Sequence, residues 1–420
     1  MEQQKWSLDE IIDYARKNSP FYRELYSGVS YGQITDLPIT EQAQFWKGDV
    51  LTSTEREGIV FKSGGSTGAP KFSYFTSLEW QSFTSIFGWG INQGIIDDKD
   101  RIANLFYVGD LYSSFIFIKD SLQSIPVESK KLLQVPIAGA TDPHQILKTL
   151  EEFCINVIAG VPSSLLTLLE FYEKEKNKYP LVKIGKILFA GESLYPDQKE
   201  ALIKMFPDVK IASIGYASVD AGLLGYSDRS CGDGEHRPFD GANIIEIVDT
   251  ETSEVIREVN RVGRVLITNL TRKLMPIIRY PAGDLAEWIE DEGVPHRKFK
   301  LQGRSDEAAR LGTISVYFED TRDMIKKTLS EFSGLQFQMV LEHYQNKDEL
   351  ILRIAGIGPV TDLNIVERVI IAFEKEKVTY GDLLSRHLIH PVKVEIVEMY
   401  QLESNGRTGK LKRVIDRRSL

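Results

Sequence analysis

Cysteine is almost missing from this chain: Cys154 and Cys231 are the two copies in 420 residues. Such a pair builds no disulfide framework and suits a reducing compartment. Net positive charge is missing too, since 60 Asp and Glu outweigh 51 Lys and Arg for a formal charge of -9. That balance lacks the broad basic footprint of a nucleic-acid binder, so no nucleic-acid partner is expected. Lys and Arg are scattered along the chain, which leaves a local cationic pocket for a small anion fully compatible with the totals. No apolar run reaches the roughly 18 residues that a membrane-spanning helix needs. Met1 to Glu10 is charged and has no apolar run of the kind found in secretory signals. Internal repeats and low-complexity tracts are absent as well. The expectation left standing is a cytoplasmic globular protein, long enough at 420 residues for two domains.

What is present is an alternation of short apolar runs with amphipathic stretches. A helix is predicted over Leu8–Asn18, and an aromatic-rich helix from Tyr74 to about Gly90. "RIANLFYVG" reads as a strand, followed by a helix around Leu111 to Lys119; "TDPHQILKTLEEF" reads as a helix with Pro143, and then His144, in its first turn. "CINVIAGVP" reads as a buried strand, with Cys154 as a core residue, and helices and strands continue to alternate through "VKIASIGYAS". This order predicts an α/β layered domain with ligands at the carboxyl ends of its strands. Past residue 235 the texture becomes antiparallel β in "ANIIEIVD", "VGRVLITNL" and "DLAEWIED". The polar, glycine-flanked "LQGRSDEAARLG" marks a boundary near Gly303, giving a large domain over 1–303 and a small α+β domain over 304–420.

Four segments carry chemistry. "VFKSGGSTGAPKF" is a polar glycine-rich loop after a short strand; its successive N–H groups, hydroxyls and Lys71 could form an anion cradle, or it could be an ordinary mobile loop. It is neither a Walker loop, because no Gly-Lys-Ser/Thr follows, nor a dinucleotide fingerprint, because the glycine spacing differs. "NLTRKLMPIIRYPAGDL" sets Arg279 ahead of Asp284, a cation and an acid suited to phosphate and ribose hydroxyls. "GRSDE" repeats that pairing at the domain boundary. "ESNGRTGKLKRV" puts Lys410 in a glycine loop close to the end of the sequence, where chains usually fray.

Together these segments resemble the adenylate-forming superfamily, and within it the phenylacetate–coenzyme A ligase-like branch. The resemblance runs in order over nearly the whole chain: "ARKNSPFYRELY", "FKSGGSTGAPK", "FAGESL", "GYASVDAG", "TNLTRKLMPIIRYPAGDL", "LQGRSDEAARLGTISVY" and "GRTGKLKRVIDRR". It implies that superfamily's fold: α/β, with a large layered N-terminal domain, a β-rich subdomain and a small mobile α+β C-terminal domain. It also implies an AMP-forming acid–thiol ligase. A carboxylate attacks the α-phosphorus of ATP, pyrophosphate leaves, and the thiol of coenzyme A then takes the acyl group from the adenylate and releases AMP.

The resemblance assigns residues as well. Ser63, Ser66, Thr67, Gly68 and Lys71 would hold the β and γ phosphates. Glu192, Tyr216, Asp284 and Arg304 would contact the nucleotide, with Asp284 on the ribose hydroxyls. Arg279 would orient the Asp284 loop or meet phosphate, Asp306 would be the hinge acid, and Lys410 the adenylation lysine. Asp220 would take magnesium. "YASVDAG" departs from the family's Tyr-Gly-x-Thr-Glu at Ala217, Val219 and Asp220, the last shortening the metal-binding carboxylate by one methylene. Cys231 and His236 form a pair, too few for a closed zinc site. The acceptor stays open between coenzyme A, an amine and a carrier-protein thiol, as do a catalytically weakened nucleotide-binding protein and a homodimer. The acid itself is not specified by the sequence.

Overall fold

The computed structural model describes residues 5–54, 57–62, 71–109, 111–192, 194, 196–304, 308–311, 314–344, 347–357, 364–385, 389–406 and 409–418. Its contacts divide the chain into two units. The first comprises Met1–Pro162, Asn177–Ser193 and Val209–Ser305; the second comprises Ser163–Lys176, Leu194–Asp208 and Asp306–Leu420. The architecture is α/β, with a larger sheet-rich N-terminal part and a smaller α+β C-terminal part.

Helix α1 (Leu8–Asn18) begins on a reciprocal cap, in which the Ser7 hydroxyl accepts from the Glu10 N–H and the Glu10 carboxylate accepts from the Ser7 N–H. Helix α2 (Pro20–Leu25) starts on Ser19 with proline in its first turn, and α3 (Gln42–Lys47) follows. Strands β1 (Ile59–Lys62) and β2 (Phe72–Phe75) pair antiparallel with Lys62 opposite Phe72. Helix α4 (Ser77–Gln93) opens on a second reciprocal cap between Thr76 and Glu79. The aromatic stretch predicted as one helix from Tyr74 is therefore a strand end followed by a helix. Both parts are buried, so hydrophobicity alone gave no sign of the break; Thr76 three residues before Glu79 was the local signal.

A parallel sheet forms the middle of the first unit. Its strands are β3 (Arg101–Asn104), β4 (Leu133–Pro136), β5 (Val157–Gly160), β6 (Lys186–Phe189) and β7 (Lys210–Ser213), with α5 (Ser114–Gln123) and α6 (Pro143–Glu152) in the same unit; α7 (Pro162–Glu175) and α8 (Pro196–Met205), which follow β5 and β6 in sequence, fall in the second unit from Ser163 on. Strand order is β4-β3-β5-β6-β7. The chain leaves β3 toward one edge and returns on its other side at β5, so the strand order reverses between these two strands, the kind of switch point at which open α/β sheets take ligands. Phe83, Phe87, Ile102, Val157, Leu188 and Leu223 belong to the core there. Helix α4 comes so close to α5 that a Cβ on Gly88 would lie 2.3 Å from the Ser121 carbonyl oxygen. Cys154 is not the core strand residue expected. It is exposed and sits at φ 48 on the turn after α6, and β5 begins only at Val157. The polar break at Asn156 shortens the strand.

Beyond this sheet, β8 (Tyr216–Ser218) pairs with β9 (Gly222–Gly225). Then β10 (Glu235–His236), β11 (Asn243–Val248), β12 (Gly263–Asn269), β13 (Tyr280–Trp288) and β14 (Phe299–Arg304) form an antiparallel sheet ordered β10-β14-β13-β12-β11. The antiparallel pairing expected after residue 235 is present. Ile11, Tyr22, Phe45, Ile277, Tyr280 and Phe299 form its core with the N-terminal helices.

In the second unit, β15 (Ala308–Leu311) and β16 (Ile314–Tyr317) make a hairpin ahead of α9 (Phe318–Thr328). Strands β17 (Gln336–Tyr344) and β18 (Lys347–Ala355) pair antiparallel, followed by α10 (Asn364–Glu376), α11 (Val378–Ser385), β19 (Lys393–Ile396) and β20 (Val414–Asp416). The sheet is ordered β19-β18-β17-β20, with Met339, Leu352, Val369 and Phe373 in its core.

Candidate functional site

The segment Tyr216–Asp220, strand β8 and the turn that follows it, separates two environments. Ala217 and Val219 pack on the aromatic core that contains Phe83 and Phe87, whereas Tyr216 and Asp220 reach polar partners. The Asp220 carboxylate receives the Tyr280 hydroxyl at 3.2 Å, and the Lys71 ammonium lies 3.5 Å from the same oxygen. Burial pushes the Asp220 carboxyl up. The Lys71 charge outweighs it, together with hydrogen bonds from Ser218, the backbone and Tyr280, and leaves the group below its ordinary value. Asp220 is therefore ionised at neutral pH.

Lys71 is itself held in place. Its ammonium donates to Gln42 Oε1 at 3.1 Å and lies 5.6 Å from the Trp46 ring centroid. The Trp46 indole N–H donates to the Tyr280 hydroxyl at 2.8 Å, and Gln42 Nε2 donates to the Pro281 carbonyl at 2.6 Å. Helix α3 thus closes a ring of contacts through Lys71, Asp220 and Tyr280. Burial pushes the Tyr280 phenol up, so it stays protonated and acts as a donor.

The Tyr216 hydroxyl donates to Asp284 Oδ2. Asp284 also stands directly opposite Arg304 in the β13–β14 ladder, so the backbone brings together two residues predicted to meet nucleotide. Behind Tyr216, His236 is buried, with Nε2 3.1 Å from Ser213 Oγ and Nδ1 3.2 Å from the Gly234 carbonyl. Only Nδ1–H can donate to that carbonyl, so Nε2 accepts from Ser213, whose oxygen in turn accepts the Gly215 N–H at 3.1 Å. Burial pushes the His236 pKa down to about 4, and the ring is neutral. His236 is thus part of the support for the Gly215–Tyr216 turn.

Arg279, close to this constellation in sequence, bonds to other partners. It is buried at φ 44, and its guanidinium makes a two-point pair with Glu246 at 2.9 and 3.1 Å and donates to the Leu37 carbonyl. Its donors are thus directed into the protein. Glu192 is half-buried just beyond the carboxyl end of β6. In the second unit, the carbonyl of Lys410 accepts the Asn405 N–H at 2.8 Å, and the Gly409 carbonyl accepts the Ser164 hydroxyl at 3.1 Å. Ser63, Ser66, Thr67, Gly68 and Asp306 lie outside the described residues, as does the side chain of Arg304. His144 sits in the first turn of α6, 2.7 Å from the Tyr179 hydroxyl.

Gln42, Trp46, Tyr280, Ser213 and His236 surround the predicted residues without having been assigned to them. Tyr280 was legible as the neighbour of Arg279 inside the "IIRYPAGD" segment, whereas Gln42 and Trp46 meet the site only through tertiary packing. Among the described residues no group of three or more His, Cys, Asp or Glu side chains is arranged to hold a metal ion, Cys231 and His236 included. Asp220, as one ionised carboxylate, fits instead a magnesium ion that takes most of its ligands from phosphates and water.

No protein-family profile matches the chain. It is 23% identical over 448 residues to phenylacetate-coenzyme A ligase from Aromatoleum evansii, across 100% of this chain and 93% of that one. Indoleacetate--lysine synthetase from Pseudomonas savastanoi is 26% identical over 269 residues, 62% of each chain. Among solved structures, 2-hydroxyisobutyryl-CoA ligase in the postadenylation state with R3-HIB-AMP aligns with a TM-score of 0.70 at 19% identity, covering 97% of this chain and 88% of that one. The same ligase with 2-HIB-AMP and CoA in the thioesterification state aligns at 0.63 and 19% identity, covering 98% and 88%.

Proposed function

We propose that the chain is a member of the adenylate-forming superfamily, to whose enzymes it is similar along its whole length, and that it activates a carboxylic acid with ATP and passes the acyl group to coenzyme A. The observation that carries this reading is the joining of Lys71, Asp220 and Tyr280 into one polar site, in the turn directly after the strand whose Tyr216 holds Asp284. Phenylacetate-like aryl acids are the substrate class favoured by the similarity to phenylacetate-coenzyme A ligase.

In the first half-reaction a carboxylate oxygen bonds to the α-phosphorus as the bond to the pyrophosphate oxygen breaks. Positioning and charge stabilisation suffice for such a step. Ser63, Ser66, Thr67 and Gly68 would give N–H and hydroxyl donors to the β and γ phosphates, with Lys71 adding charge. Asp284 would accept the ribose hydroxyls, and Tyr216, Glu192 and Arg304 would contact the nucleotide. Magnesium held by Asp220 would neutralise charge on the triphosphate. Arg279, with its donors on Glu246 and Leu37, is assigned to orienting the segment that leads to Asp284. Lys410 is assigned to the charge growing between carboxylate and α-phosphate. In the second half-reaction the thiolate sulfur bonds to the acyl carbon and AMP leaves. The reading sets the boundary at 303/304 and the hinge at Asp306, and keeps a cytoplasmic location and a homodimer as part of the proposal.

Exchange of labelled pyrophosphate into ATP, dependent on added carboxylic acid, tests the first half-reaction. No exchange across a broad acid library would leave a nucleotide-binding protein without adenylation. The similarity to indoleacetate--lysine synthetase favours a second reading, in which an amine takes the acyl group. Comparing AMP release with coenzyme A, free amines and a carrier-protein thiol separates the acceptors.

A further inference from the structure

The hairpin β1–β2 brackets the glycine-rich segment, so whatever fixes its strands fixes the exit of that segment. Strand β2 is held by one buried guanidinium. Arg272 is fully buried; its Nη2 donates to Ser73 Oγ at 3.0 Å and to the Tyr74 carbonyl at 2.9 Å, and its Cζ lies 4.0 Å from the Phe75 ring centroid. One side chain therefore grips three successive residues of β2. Its Nε and Nη1 have no hydrogen-bond partner among the described residues. A buried cation with two unpaired donors is costly, and an apolar side chain of similar length would pack there more favourably.

The contact is answered from the other side. Glu79, buried in the first turn of α4, accepts the Lys273 and Leu274 N–H groups on Oε1 at 2.6 and 2.9 Å, and the Thr76 N–H on Oε2 at 3.0 Å. Residues 272–274 and 73–79 are thereby cross-tied, each charged side chain bonding to the backbone of the opposite segment. Burial pushes the Arg272 pKa down to about 10, so it remains charged at neutral pH, and the Glu79 and Asp220 carboxylates both stabilise that charge.

Resting on the ATP-dependent reading above, we propose that Arg272 is a positioning residue for the triphosphate: by fixing Ser73 and Tyr74 it sets where Lys71, two residues earlier, meets Asp220. Its place is behind the site, and it acts through Lys71.

The test compares the unaltered protein with Arg272→Met and Ser73→Ala, measuring MgATP affinity by calorimetry and both half-reactions separately. Loss of a charged hydrogen-bonding group at this position should weaken MgATP about tenfold or more in Arg272→Met. Transfer from a supplied acyl adenylate should stay within about twofold, because that step does not use the β and γ phosphates. Ser73→Ala removes one acceptor without touching the charge and should weaken MgATP about threefold, which keeps the test open if Arg272→Met fails to fold. Equal loss in both half-reactions would reduce Arg272 to a fold-stabilising role, and unchanged MgATP affinity would overturn the inference alone. Absence of MgATP binding by the unaltered protein would instead sink the parent reading.

Discussion

The ammonium of Lys71 lies 3.5 Å from Oδ2 of Asp220, joining segments 149 residues apart in sequence. The pair ties Lys71, next to strand β2, to the turn after β8. Lys71→Met should remove the charge that, together with the hydrogen bonds from Ser218, the backbone and Tyr280, offsets burial at Asp220, and the Asp220 pKa should rise. Acid-dependent pyrophosphate exchange should fall about 10²-fold, with its acid limb moved to higher pH. A variant whose pH profile kept its position would show that Lys71 does not set the ionisation of Asp220.

Tyr216→Phe deletes the donor to Asp284 without altering the ring. ATP should bind about tenfold more weakly, and Asp284→Ala should weaken it further. Isothermal calorimetry with ATP reads both, and an affinity equal to that of the unaltered protein would remove Asp284 from the nucleotide site.

Lys410→Ala should slow adenylate formation by about 10² or more while leaving thioester formation from a supplied acyl adenylate nearly unchanged. Single-turnover assays of each half-reaction provide the measurement. Similar losses in both steps would contradict a role confined to the first.

His236 gives a pH-dependent stability. Its folded-state pKa of about 4 lies below the unfolded value of 6.5, so between these values the unfolded chain binds more protons. Stability is complete above the unfolded value and declines as the pH falls toward the folded one, by about 3 kcal/mol for this group. Urea unfolding from pH 7 to 4 should therefore show a slope that His236→Gln flattens.

Glu246→Gln should leave the Arg279 guanidinium buried with a neutral partner. The expected cost is about 3 kcal/mol, read as a lowered denaturation midpoint. A loss of nucleotide affinity with no loss of stability would return Arg279 to direct phosphate contact.

Much of this organisation was readable from residue order. Helix α6 was marked by Pro143 in its first turn, and β11–β13 by the change to β texture past residue 235. Asp284 and Tyr216 were singled out by segments that also meet in space. Other features were hidden because their cause is tertiary. Nothing near Gln42 or Trp46 announces that α3 will close over Lys71, and the buried pairing of Arg279 with Glu246 spans 33 residues. Cys154 misled because an apolar run begins directly after it, while the turn at φ 48 leaves its side chain outside. Val219 read as a missing hydroxyl; in the folded chain it is a packing residue against the aromatic core.

The contact at Gly88 bears on how this scaffold could change over time. With Ser121 and Ser124 pressed against that α-carbon, α4 and α5 have no slack to part, and a larger residue at position 88 would wedge them open at the expense of the close-packed interior. Changes of volume in this interior would accordingly fall on individual rings such as Phe87 and Phe117, whose centroids lie 4.5 Å apart, with the helical frame inherited intact.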